Sequence, residues 1–214
     1  MIKSFTISEK EINEHYKYTN VELLTDLYKD GKSAILSGAH YGNWEWIINL
    51  PSKIDYKGYA AYTKVNNTYF ENKILKTRER FGVFFKPTAY IISEIDKNSK
   101  EYIQSLYGLL SDQSPQLKKT FYWSEFLGVK VPIHTGAEML AKKYDYAVMY
   151  IETTKVKRGF YETKMEILSE NPRDVPDFDI TDIFMKKLEA QIRKEPAYYF
   201  WTHKRFKYMK QAED

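Results

Sequence analysis

Residues 33–45 read Ser-Ala-Ile-Leu-Ser-Gly-Ala-His-Tyr-Gly-Asn-Trp-Glu, and this stretch decides the fold. The short apolar run at 33–37 predicts a buried strand. Residues 38–43 form a polar loop after it, and 44–50 predict a helix that ends at Pro51. A strand, a loop and a helix in this order form the repeating unit of an α/β sheet.

The same alternation continues along the chain and predicts the fold class. We expect one α/β domain over residues 1–214, with a mixed, largely parallel central sheet flanked by helices. The last two strands are expected to form a hairpin. The predicted strands are 33–37, 59–63, 83–85, 104–110, 145–152 and 160–168, and the predicted helices are 7–30, 44–50, 68–81, 89–97, 134–143 and 179–194.

Composition excludes several classes of function. The chain has no cysteine, which rules out disulfides, thiolate catalysis and cysteine-based zinc sites. The net charge of +4 is too small to indicate nucleic-acid binding. No run approaches the roughly 20 apolar residues of a membrane span, and no signal peptide is evident, so only peripheral contact with a membrane stays open.

His40 and Glu45 form the strongest candidate for catalytic chemistry. His40 lies in the loop after the first predicted strand and Glu45 in the first turn of the next helix, so the carboxylate could reach back to the imidazole. A carboxylate on one ring nitrogen would fix the tautomer and leave the other nitrogen to take a proton from a hydroxyl. The alternative is a histidine at a loop end followed by an ordinary first-turn acid.

The segment from Ala39 to Glu45 closely resembles the motif of bacterial lipid A biosynthesis acyltransferases, the late lauroyl and myristoyl transferases. In that group a histidine is followed, after four residues, by an aspartate or glutamate. Four further blocks resemble the family in the same order. They are Asn67-Thr68-Tyr69-Phe70 with Arg78-Glu79-Arg80-Phe81-Gly82, Leu109-Leu110-Ser111-Asp112-Gln113, Val131-Pro132-Ile133-His134-Thr135-Gly136, and Pro196-Ala197-Tyr198-Tyr199-Phe200-Trp201-Thr202-His203-Lys204-Arg205-Phe206-Lys207.

The resemblance implies an acyltransferase with a glycerolipid acyltransferase-like fold. The donor would be a thioester on acyl carrier protein or coenzyme A, and the acceptor a hydroxyl of a lipid A precursor. His40 would be the base and Glu45 would orient it. Family members act at the cytoplasmic face of the bacterial inner membrane and begin with a membrane helix, which this sequence is expected to lack. Two alternatives stay open: transfer to a glycerol- or amino-acid-based lipid, and a non-catalytic lipid-binding relative.

Other residues are candidates for binding substrate or membrane. Gly42 and Asn43 border the catalytic loop, Arg78 and Arg80 could bind phosphate, and Asp112 with Gln113 follows a strand end. The candidates to stabilise an oxyanion are the backbone amides after His40 and the side chain of Arg80. The basic stretch 201–210 either faces anionic headgroups or packs its aromatic residues on the core. No histidine has metal-ligand spacing and there is no phosphate-binding glycine loop, so we expect no metal and no nucleotide cofactor.

Overall fold

The computed structural model describes residues 2–209, which fold around one central sheet. Its helices are α1 (Glu9–His15), α2 (Glu22–Lys29), α3 (Thr68–Glu79), α4 (Thr88–Lys100), α5 (Gly136–Tyr144) and α6 (Asp179–Lys194). Its strands are β1 (Tyr16–Thr19), β2 (Ala34–Gly38), β3 (Lys57–Tyr62), β4 (Val83–Pro87), β5 (Ser105–Leu110), β6 (Trp123–Phe126), β7 (Val129–Pro132), β8 (Ala147–Lys157) and β9 (Phe160–Ser169). Segments of 3-10 helix cover Ile2–Phe5, Trp44–Lys53, Leu117–Lys119, Pro172–Asp174 and Pro196–Tyr198.

The order of strands across the central sheet is β1-β9-β8-β2-β5-β3-β4, within the described residues. Strands β2, β5, β3 and β4 pair in parallel, and β8 also runs parallel to β2. Strand β9 returns antiparallel to β8, which confirms the predicted hairpin. The fold class expected from the sequence, a mixed and largely parallel sheet flanked by helices, is therefore confirmed.

Apolar residues on opposite faces of β2 pack against helices on the two sides of the sheet. Leu36 packs in a cluster with Leu24 and Leu27 of α2, whereas Ile35 packs in another cluster with residues of α4, α5 and α6. Successive side chains of a strand point to opposite faces, so a strand covered on both sides reads as a continuous apolar run. Burial of a side chain such as Ile35 stabilises the fold by about 1.5–3 kcal/mol.

The prediction of one helix over 7–30 was wrong. The segment contains two short helices separated by β1, which pairs with β9 through Tyr16 and Tyr161. Asn20 has a positive φ of 61° and so ends the strand with a left-handed turn before α2. Pairing with a distant strand supplied the backbone hydrogen bonds that a helix would otherwise have provided.

Two further local differences lie near the site. Residues predicted as a helix at 44–50 form a 3-10 helix that extends to Lys53 and includes Pro51. The sequence did not predict β6 and β7, which pair antiparallel across a turn at Leu127 and Gly128, both with positive φ. The amide of Leu127 donates to the Glu189 carboxylate of α6, and this bond fixes the hairpin to that helix.

Candidate active site

The register of β2 and β5 brings His40 and Asp112 together. Gly38, the last residue of β2, is opposite Leu110, the last residue of β5. His40 and Asp112 each lie two residues beyond these paired ends. The carboxyl ends of parallel strands are where ligands bind in open α/β sheets, so the two side chains meet where a site is expected.

The two side chains are hydrogen-bonded. Nδ1 of His40 lies 2.7 Å from Oδ1 of Asp112. The Asp112 side chain is only 2% exposed, while that of His40 is 18% exposed. Because a carboxylate can only accept, Nδ1 of His40 donates, and the neutral ring can act on a substrate hydroxyl only through Nε2.

Glycine at position 38 allows this close approach of chains. A Cβ built on Gly38 would lie 2.6 Å from Cδ1 of Ile151 on neighbouring β8, so the Ile151 side chain would have to shift to admit a larger residue. Gly42 follows in the loop with φ of +58°, a left-handed conformation that favours glycine. The loop around His40 therefore turns tightly between a crowded strand end and the 3-10 helix that starts at Trp44.

Residues 198–200 hold the His40 loop from its other side. The amide of Gly42 donates to the carbonyl of Tyr198, and the amide of Phe200 donates to the carbonyl of His40. The hydroxyl of Tyr199 donates to the carbonyl of Asp112 at 3.4 Å. Nothing in the spacing of residues 198–200 predicts this role, although the C-terminal block that resembles the family covers them.

Glu45 bonds a different group from the one predicted. Its Oε1 accepts from Nη2 of Arg78 at 3.1 Å, and both side chains are largely buried. The guanidinium carbon of Arg78 also lies 6.0 Å from the ring of Trp44, whose ring centroid is 4.8 Å from that of His40. Asp112, and not the predicted Glu45, therefore bonds Nδ1 of His40. Glu45 instead holds the Arg78 cation beside the same site.

A small cavity lies beside the Glu45–Arg78 pair. Apart from that pair, its walls are mainly apolar and come from the N-terminal segment, the 3-10 helix and α3. The residues that line it are Ser4, Phe5, Glu45, Ile48, Ile74, Thr77 and Arg78. A mainly apolar cavity with an ion pair in its wall suits a ligand with one charged or polar end and a hydrocarbon chain.

Arg80 is engaged away from the cleft. Its Nη2 donates to the carbonyl oxygens of Ser4 and Ile7, and its guanidinium lies 4.6 Å from the ring of Phe81. A guanidinium that anchors the N-terminal backbone in this way is poorly placed to bind phosphate or an oxyanion. These contacts argue against the predicted substrate-binding role of Arg80 and leave Arg78 as the better candidate.

Two of the backbone amides proposed for the oxyanion, those of Tyr41 and Gly42, are also engaged. The amide of Tyr41 donates to the carbonyl of Ala39, and that of Gly42 donates to Tyr198. Asn43 precedes the 3-10 helix without a side-chain capping bond, and Gln113 is half-buried beside Asp112. The substrate-binding roles of Gly42, Asn43 and Gln113 stay predictions.

The basic C-terminal stretch divides into a buried and an exposed part. Arg205 is 2% exposed, and Phe206 packs on the core with its ring stacked 6.3 Å from that of Phe126. Lys204, Lys207 and Trp201 are exposed, whereas Lys210, which the sequence analysis included, lies outside the described residues. The interpretation of packing on the core therefore applies to Arg205 and Phe206, whereas contact between the exposed residues and anionic headgroups stays a prediction.

The charge environment of the site includes two more histidines, His134 and His203. Burial lowers the pKa of His203 from its ordinary value, and the positive charges of Lys207 and Arg205 lower it further, while Asp112 opposes them. His203 is therefore expected to be neutral near pH 7. Within residues 2–209, no group of three His, Asp or Glu side chains is arranged to hold a metal ion.

Comparison with known proteins identifies a family. The family model described as bacterial lipid A biosynthesis acyltransferase matches residues 1–208. A search of curated protein sequences found no match. The family match covers nearly all of the chain, including both loops of the site and the C-terminal segment that holds them.

Proposed function

The chain belongs to the bacterial lipid A biosynthesis acyltransferase family and is therefore an acyltransferase, and we propose that His40 and Asp112 form its general-base pair. The substrates in this proposal are an acyl thioester and a hydroxyl of a lipid A precursor. The observation that carries it is the 2.7 Å bond between Nδ1 of His40 and Asp112 at the carboxyl ends of two paired strands. The arrangement matches what a base for an alcohol requires: a fixed tautomer, an oriented ring and partial exposure.

The reaction follows from this geometry. Nε2 of His40 takes the proton from the acceptor hydroxyl, and the buried carboxylate of Asp112 stabilises the imidazolium that forms. The acceptor oxygen attacks the carbonyl carbon of the thioester, the carbon–sulfur bond breaks, and the proton on His40 passes to the leaving thiolate. The products are an ester on the lipid and a free thiol on the carrier, either acyl carrier protein or coenzyme A.

Arg78 is the proposed stabiliser of negative charge on the thioester oxygen. Its guanidinium is fixed by Glu45 and flanked by the rings of Trp44 and Phe85. A cation held in place before the reaction costs no reorganisation when charge develops. In this proposal Glu45 takes part in catalysis by holding Arg78 in place, and not by orienting His40.

The cavity beside Arg78 is the proposed site for the acyl chain. Ile48 and Ile74 line it together with the charged pair, so a thioester carbonyl near Arg78 would place the start of its hydrocarbon tail in apolar surroundings. Each buried methylene contributes roughly 0.8 kcal/mol, which favours chains that fill the space.

The proposed location is the cytoplasmic face of the inner membrane, reached by peripheral contact. Among residues 2–209, no helix combines the length and the apolar character needed to cross a bilayer. Residues 116–122 follow β5 at the same sheet edge as His40 and contain no acid, and their exposed side chains include Lys118, Lys119 and Phe121. Exposed lysines beside exposed aromatic rings suit an anionic lipid surface.

Consumption of an acyl thioester tests the proposed chemistry. The protein is incubated with acyl-carrier or acyl-coenzyme A thioesters of several chain lengths and a lipid A precursor, and thiol release is followed. His40→Ala is expected to reduce the rate by about 10²–10⁴-fold or more, because the base is lost. His15→Ala serves as a matched control, since His15 bonds the carbonyl of Gly159 and has no part in the site. Equal rates for wild type and His40→Ala would contradict the proposal.

A further inference from the structure

The His40–Asp112 pair carries a buried net negative charge when His40 is in the neutral form that can accept a proton. His40 must be neutral to accept a proton, so the pair then carries the single negative charge of Asp112. That carboxylate is 2% exposed and cannot be stabilised by bulk solvent. A buried charge without a compensating partner is costly.

Arg205 is a buried cation in the same region. Its Nη1 donates to the Ser114 hydroxyl at 3.3 Å and to the Pro132 carbonyl at 3.0 Å, and the Ser114 hydroxyl donates to the Arg205 carbonyl at 2.7 Å. Ser114 lies two residues after Asp112, so these bonds connect Arg205 to the Asp112 loop. The guanidinium also lies 5.3 Å from the ring of Phe126.

Hydrogen bonding alone does not account for burying this guanidinium. Nε and Nη2 are both buried and have no hydrogen-bond partner within residues 2–209. Each unpaired buried donor costs free energy, and a buried charge costs more. A shorter apolar side chain would avoid these costs, so a stabilising role based only on packing is a poor explanation for arginine here.

Arg205 interacts electrostatically with Asp112. Burial lowers the pKa of Arg205 from its ordinary value, and the electrostatic interactions with Tyr199 and Asp112 oppose that change. The same environment affects Tyr199, whose pKa is raised first by burial and then by Asp112, while Arg205 lowers it. Asp112, Tyr199 and Arg205 thus share one buried electrostatic environment.

We infer that Arg205 is a positioning residue, whose permanent charge keeps Asp112 ionised and His40 neutral and ready to accept a proton. This inference rests on the proposed function, since it assigns Arg205 a part in the general-base pair. Arg205 acts through Asp112 and does not contact the reacting atoms. Guanidinium is suited to this task because it stays protonated at every pH at which the enzyme could work.

The inference predicts how the pH profile responds to the charge at position 205. Without the cation, the negative charge of Asp112 favours protonated His40 more strongly. The pH below which activity falls is therefore expected to be higher. The other titratable groups that face this cluster are His134, His203, Tyr150 and Tyr199. They are the same in wild type and in the variants, so the comparison isolates residue 205.

The test compares Arg205→Met, which removes the charge, with Arg205→Lys, which keeps it. The readouts are thermal stability, kcat/KM for thioester consumption against pH, and NMR titration of the His40 ring without substrate. Arg205→Met is expected to move the acid-side midpoint up by about one pH unit, and Arg205→Lys to leave it near the wild-type value although both lose stability. Arg173→Met is the control, because Arg173 also donates to two backbone carbonyls but lies far from the site.

Several outcomes separate the possibilities. Unchanged midpoints in Arg205→Met, by both kinetics and NMR, would overturn the inference and leave a structural role. If Arg205→Met does not fold, Ser114→Ala removes one anchor of the guanidinium and should move the midpoint in the same direction by less. An unmoved midpoint there would count equally against the inference. A wild-type protein inactive on thioesters would refute the proposed function, while the NMR titration would still test the charge coupling.

Discussion

Replacing Asp112 with asparagine preserves the shape of the side chain but reverses what it offers to His40. The carboxylate accepts a hydrogen bond from Nδ1 at 2.7 Å. An asparagine amide can donate to Nδ1 instead, which places the ring proton on Nε2, the atom that has to accept the proton of the substrate. The variant would hold the imidazole in place in the wrong tautomer.

The size of the effect follows from burial and bond type. At 2% exposure, solvent cannot replace the lost carboxylate, and a hydrogen bond to a charged group contributes about 1.5–3 kcal/mol. By analogy with other histidine–aspartate pairs, the wrong tautomer is expected to reduce kcat by roughly 10³–10⁴-fold. The assay is the single-turnover rate of acyl transfer from a thioester, with circular dichroism to verify that the variant is folded.

Glu45→Gln is the variant to compare with Asp112→Asn, because the comparison shows which carboxylate orients His40. It breaks the ion pair with Arg78 and leaves the bond between His40 and Asp112 intact. We expect a loss of activity whose pH profile keeps the wild-type acid-side midpoint. If Asp112→Asn retained activity within about tenfold of wild type while Glu45→Gln abolished it, Glu45 would be the orienting carboxylate.

Three further predictions test other parts of the account. Ile74→Trp narrows the apolar cavity, and competition between acyl thioesters of different length should show a shift toward shorter chains; an unchanged preference would place the acyl chain elsewhere. Burial raises the pKa of Tyr16 and of Tyr107 to about 12. Their neutral forms are therefore favoured in the folded state, so this contribution to the free energy of unfolding is complete below pH 10 and is lost as pH rises toward 12. Denaturant unfolding combined with phenolate absorbance would detect the loss, and a constant free energy of unfolding across that range would contradict the prediction. Anionic vesicles should sediment the protein at low salt and release it at high salt, and Lys118→Gln combined with Phe121→Ala should weaken this binding, whereas equal binding to neutral vesicles would argue against the charged surface.

The central strands could be predicted because their sequences carry two independent signals. Residues 33–37 are a short apolar run, and a polar loop with a tight turn follows directly, so both the strand and its end are defined locally. Strand β5 has the same form before Asp112. Strand β1 could not be predicted, because Tyr16–Thr19 is short and polar and becomes a strand only by pairing with β9, far along the chain.

The partner of His40 illustrates what sequence proximity fails to determine. Glu45 is five residues from His40, which made it the natural candidate, whereas Asp112 is 72 residues away. Two predicted strands ended before His40 and Asp112, but the sequence did not show that these strands are neighbours in register. The pairing of Gly38 with Leu110 supplies that information and selects Asp112.

Buried charge was the other feature hidden in the sequence. Residues 201–210 contain several cations, and nothing in their spacing separates Arg205 from its lysine neighbours. Only the packing of the chain against β6, β7 and the Asp112 loop removes Arg205 from solvent and leaves Lys204 and Lys207 exposed. Similarly, Arg80 and Arg78 are two residues apart on one segment, yet one anchors the N-terminal backbone and the other meets Glu45.

The most direct test is mass spectrometry of the lipid product. The protein, an acyl thioester donor and a lipid A precursor are incubated in mixed micelles or vesicles, and the lipid is extracted. The account predicts a lipid heavier by one ester-linked acyl chain with the wild-type protein and none with His40→Ala or Asp112→Asn. An unmodified lipid in the presence of folded wild-type protein and consumed thioester, or the same acylated lipid with His40→Ala, would contradict the account.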